Sequence, residues 1–138
     1  MKHLPREVFL SHSHRDHDFV LRLAEAITKH GIPVWYSERN IVGAQQWHDE
    51  IGQALARCDW FVLVLSPDAV ESKWVKHELL YALNDQRYAD HIVPLLYQAC
   101  DMARLSWTLP SFQRVEFAKD FHAGCRELLR VWGTGYRV

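Results

Sequence analysis

An α/β domain on a five-stranded parallel sheet, in the flavodoxin-like order 2-1-3-4-5 with helices on both faces, is the fold this sequence predicts. Three observations carry the prediction. Short apolar runs alternate with stretches of helical period along the chain, the pattern of repeated βα units. One run, Trp60–Leu65 (WFVLVL), is apolar throughout, as a central parallel strand covered on both faces requires. The 138 residues amount to one domain, and right-handed crossovers in so short a chain favour that strand order.

The elements follow in order. Glu7–Ser11 (EVFLS) reads as the first strand. From about Asp16, Phe19, Val20, Leu23 and Ile27 recur at helical spacing, and Gly31 stops the helix. Pro33–Tyr36 is a second short strand and Ser37–Gln46 a polar loop. Trp47, Ile51 and Leu55 then stand at i, i+4 and i+8 of a helix. After Trp60–Leu65, Ser72 suits the N-cap of a helix over Lys73–Arg87, with core stripe Val75, Leu79, Ala82 and Leu83. His91–Leu96 is the fourth strand, Gln113–Phe117 the fifth, and Phe121–Trp132 a last helix with Leu128, Leu129 and Trp132 on its apolar side. A ligand on such a sheet sits at the switch point, beyond the carboxyl ends of strands one and three.

Composition narrows the function. Apolar residues make up 49% and charged residues 24%, a globular balance, and the net charge is −1. No basic stripe calls for nucleic acid, and no apolar run is long enough for a bilayer. The three cysteines, Cys58, Cys100 and Cys125, form no disulfide framework and fit a reducing, cytoplasmic setting. The chain lacks GxGxxG, GxxxxGK[ST] and GxSxG, so a dinucleotide fingerprint, a P-loop and a nucleophile elbow are absent.

Two clusters could carry chemistry. His12-Ser13-His14-Arg15-Asp16-His17 has the HxHxDH spacing of dizinc hydrolases, with ligands His12, His14, Asp16 and His17. One βα repeat offers half the strands that such a fold needs, and the same residues also read as a polar turn with Asp16 at a helix N-terminus. In Ser72–Glu78, Trp74 and Glu78 are i, i+4 neighbours beside the core stripe. An aromatic plane next to a carboxylate suits a flat heteroaromatic ring joined to a sugar. The plainer alternative is a boundary Trp and a solvated Glu.

VFLSHSHRD, GIPVWYSERNIVGAQQW, CDWFVLVLSPDAVESKW and WVKHEL together resemble a bacterial-type TIR (Toll/interleukin-1 receptor) domain, over about residues 6–132 of a single domain spanning 1–138. The resemblance implies the same flavodoxin-like sheet and an activity: cleavage of NAD+ into nicotinamide and ADP-ribose or a cyclic isomer, with NAD+ as substrate and no cofactor. It places the catalytic carboxylate at Glu78 and the stacking aromatic at Trp74. Ser11, His12 and Ser13 would border the nicotinamide end, and Ser37, Asn40 and Gly43 the rest of the substrate. Ser37 stands where the family usually has Asp. The resemblance also implies immune signalling and head-to-tail self-association with other TIR domains, a neighbouring subunit completing the pocket. Other members of the family are non-enzymatic scaffolds.

Overall fold

The computed structural model describes residues 4–37 and 44–138, the side chains of 44–47 excepted. Strands β1 (Val8–Ser11), β2 (Val34–Tyr36), β3 (Trp60–Leu65), β4 (Ile92–Leu96) and β5 (Val115–Glu116) form one sheet in the order β2-β1-β3-β4-β5. Every pair is parallel, and β1 lies beside β3 with Phe9 opposite Phe61 and Leu10 opposite Val62. The expected order is therefore the observed one.

Alternation along the strands sorts two cores. Val8, Leu10, Val62, Val64, Val93 and Leu95 meet α1 (His17–Lys29) and α5 (Phe121–Val131) on one face. Phe9, Phe61, Leu63 and Leu65 meet α2 (Ala44–Arg57) and α4 (Lys73–Leu83) on the other. Between β3 and α4 lies a four-residue helix, α3 (Pro67–Val70), capped by the Ser66 side chain, which accepts from the Ala69 N–H at 3.0 Å. Pro94 sits inside β4 at no cost in ladder bonds. Leu96, two residues on, turns its carbonyl to Phe117 beside β5, so Pro94 faces the same side, where β5 is too short to reach.

Several boundaries differ from expectation. The Ser37–Gln46 loop ends early, because Ala44, Gln45 and Gln46 already belong to α2, as their helix propensity permits. The helix expected over Lys73–Arg87 stops at Leu83. Asp85 there accepts from the Arg87 N–H at 2.9 Å and starts a separate 3-10 turn, Gln86–Tyr88. The connection from β4 to β5 carries only two 3-10 turns, Met102–Arg104 and Leu109–Ser111.

That early stop has a use. Arg87 donates to the carbonyls of Leu55 (2.9 Å) and Ala56 (2.7 Å), and the Tyr88 hydroxyl to Leu55 (2.6 Å). These are last-turn carbonyls of α2, which have no partner inside the helix. The segment after α4 thereby pins α2 against the face that carries the candidate site.

Candidate active site

The site forms where β1 and β3 end and α4 begins. Ser72 caps α4 by accepting from the Val75 N–H at 3.2 Å. This phase turns Val75, Leu79 and Ala82 into the core and carries Glu78 inward with them. Glu78 is 6% exposed, so the alternative of a solvated glutamate does not hold. Its Oε1 accepts a hydrogen bond from Ser11 Oγ at 2.6 Å. A buried carboxylate needs such a donor, since desolvation otherwise opposes its charge.

Trp74, one turn earlier, is half-buried against the core around α2 and α4. Its ring meets the edges of His48 at 5.9 Å and His77 at 6.2 Å. His12 and Ser13 follow directly on Ser11 and are both buried. The His12 ring lies 6.4 Å from Tyr36, edge to face, and 6.5 Å from His17. Ser13 accepts from the Arg15 N–H at 3.3 Å and caps the turn leading to α1. Ser37 is half-buried just past β2. Asn40 and Gly43 lie outside the described residues, as does the Trp47 side chain.

The structure thus brings Ser11 against Glu78, with Trp74 one turn before it on α4, and sets His12 beside Tyr36. It does not join the HxHxDH residues on one centre. They run from β1 through a 3-10 turn into α1, which splays their side chains. His14 is exposed, and the buried Asp16 accepts from Ser66 Oγ across the switch point. Among the described residues no three metal-ligating side chains gather. Burial raises the Asp16 pKa, opposed by the Ser66 hydrogen bond.

The resemblance set Ser11 beside His12 and Ser13 at the nicotinamide end; what sequence reasoning missed is its hydrogen bond to Glu78. For Ser11 a signal existed: a lone hydroxyl ends the otherwise apolar stretch VFLS. The cysteines offer no rival nucleophile. Burial pushes Cys58 up to about 12 and Cys125 up to about 11, and raises Cys100 as well, so all three remain thiols at neutral pH. Two clefts of about 940 and 960 Å³ lie elsewhere, one between the end of α4 and α5, the other along α1. Neither is lined by Ser11, Trp74 or Glu78.

Comparison with known proteins follows the same line. A family described as TIR domain matches residues 8–129. The 2′ cyclic ADP-D-ribose synthase BtTIR of Bacteroides thetaiotaomicron is 31% identical over 74 residues, 53% of this chain and 26% of that protein. The NAD(+) hydrolase TcpC of Escherichia coli O6:H1 is 27% identical over 90 residues, 64% of this chain and 29% of that protein. The chain therefore spans less than a third of the length of these curated relatives. The TIR domain of the Toll-related receptor TRR-2 from Hydra magnipapillata superposes with a TM-score of 0.68 at 18% identity, over 91% of this chain and 90% of that one. That likeness is one of fold.

Proposed function

This chain belongs to the TIR domain family, and from that premise we propose that it cleaves the nicotinamide–ribose bond of NAD+. The observation that carries the reading is Glu78: a carboxylate almost removed from water, anchored to a strand end, with a half-buried indole one turn away. Relatives named for NAD+ hydrolysis and for cyclic ADP-ribose synthesis support it.

The chemistry needs one carboxylate. The leaving nicotinamide is a pyridinium that takes the electron pair of the broken C1′–N bond and departs neutral. No general acid has to protonate it, unlike the alkoxide of an ordinary glycoside. The ribose becomes oxocarbenium-like, and the fixed negative charge of Glu78 stabilises it without reorganisation. Water then adds at C1′ and releases a proton, giving ADP-ribose. If a hydroxyl of the same molecule adds instead, with the same loss of a proton, the product is a cyclic isomer. Trp74 holds a ring flat beside the reacting sugar. His12 and Ser13 border the nicotinamide end, with Ser37, Asn40 and Gly43 along the rest of the substrate.

We further propose that activity rises on head-to-tail self-association with other TIR domains, in bacterial immune signalling in a reducing cytoplasm, a setting that suits three free cysteines. Among the described residues no helix is long and apolar enough to cross a membrane. Incubation with NAD+ and separation of the products tests the reading. Nicotinamide with ADP-ribose or a cyclic isomer is the expected result; intact NAD+ under clustering conditions would leave a non-enzymatic scaffold instead.

A further inference from the structure

Ser11 is 1% exposed and closes a strand whose other side chains are apolar. The two-residue period explains its direction. Val8 and Leu10 enter the core under α1 and α5, Phe9 the core under α2 and α4. Ser11 falls on the side of Phe9, under α4, where its hydroxyl meets Glu78 Oε1 at 2.6 Å. The backbone at Ser11 pairs with Leu63 of the central strand β3. The donor therefore stands on a strand paired on both sides in the sheet, which is where a positioning group belongs. A hydroxyl in that place costs free energy unless it bonds, and core packing alone would be served by alanine or valine.

We propose that Ser11 is the positioning residue of Glu78. Its O–H occupies a lone pair of Oε1, fixes the carboxylate plane against the reacting sugar, and favours the charged form that the transition state requires. This rests on the reading of Glu78 as the catalytic carboxylate. It adds that the geometry and charge of that carboxylate are set from β1, 67 residues earlier in the chain.

The test compares wild type with Ser11→Ala, Ser11→Thr, Glu78→Gln and the double variant Ser11→Ala/Glu78→Gln, in NAD+ cleavage and in an NMR titration of the ¹³C-labelled Glu78 carboxyl. Ser11→Ala should lower kcat about ten- to a hundredfold, the worth of a hydrogen bond to a charged group, with KM unchanged. The acid limb of its pH profile and the Glu78 titration should both move up by about one pH unit. Ser11→Thr, which keeps the hydroxyl, should restore most of the rate, and the double variant should be no worse than Glu78→Gln alone. Ser11→Cys keeps the volume with only a weak donor, and replaces the alanine variant if that one does not fold. An unmoved Glu78 titration, or losses that add in the double variant, would overturn the proposal. A wild type inert toward NAD+ would overturn the functional reading instead, while the titration still decides whether Ser11 governs Glu78.

Discussion

Two carboxylates at the carboxyl end of the sheet are each held by a serine from a strand end, Glu78 by Ser11 and Asp16 by Ser66. Asp16 allows a test in which the direction follows from charge alone. Burial raises its pKa, the Ser66 hydrogen bond lowers it, and Asp68 raises it further, with burial the largest of the three. A raised carboxyl pKa means that the native state holds the proton more tightly than the unfolded chain does. The favourable contribution is then complete below the unfolded value and lost as pH rises through the folded one. Asp16→Asn keeps an acceptor for Ser66 and removes the charge. It should be at least as stable as wild type at pH 7, with its advantage vanishing as pH falls below about 4. Urea melts across that range check this, and a clear loss of stability at pH 7 would refute it. Glu78 and Trp74 were legible as a pair because both lie on one helix, four residues apart. The bond from Ser11 to Glu78 was not, because 67 residues separate the two and only the fold brings them together. Asp16 was read as a partner of the helix dipole for the same reason: nothing local points to Ser66.

At the scale of elements, long periodic segments declared themselves and short ones did not. Trp60–Leu65 occupies the expected residues as β3, since no other element accommodates six apolar residues in a row with two covered faces. Pro67–Val70 has four residues, too few to display a helical period, and its one local sign was Ser66-Pro67, a cap followed by proline. The end of α4 was missed because Asn84 and Asp85 trade helical bonds for a local turn, a competition that these side chains often win. Helix α5 carries a constraint that periodicity does not reveal. A Cβ on Gly124 would lie 2.5 Å from the Phe117 ring, so α5 approaches the chain just past β5 more closely than any other residue type permits. Gly124→Ala must displace that ring and should cost about 1–3 kcal/mol, seen as a lower midpoint in urea. Because α5 packs on the face opposite α4, turnover per folded molecule should remain. Unchanged stability would contradict the packing argument.

For the whole molecule, the five-stranded order was legible because one sheet and right-handed crossovers leave few alternatives, and the candidate site was sought at the switch point of that order. The proposed assembly concerns surfaces between molecules, which single-chain patterns do not encode. A net charge of −1 offers little repulsion between copies. If a neighbouring subunit completes the pocket, only the assembled fraction is competent, and apparent affinity falls by that fraction. Specific activity should therefore rise with protein concentration and with a forced oligomerisation tag. A constant specific activity in a protein that sediments as a monomer throughout would exclude that mechanism. The central claim, that the buried Glu78 carboxylate drives cleavage of NAD+, is tested most directly by nicotinamide release from wild type and Glu78→Gln under the same clustering conditions, with melting curves showing both folded. The expected result is robust release by wild type and a loss of about a hundred- to a thousandfold in the variant; undiminished release from a folded Glu78→Gln protein would contradict it.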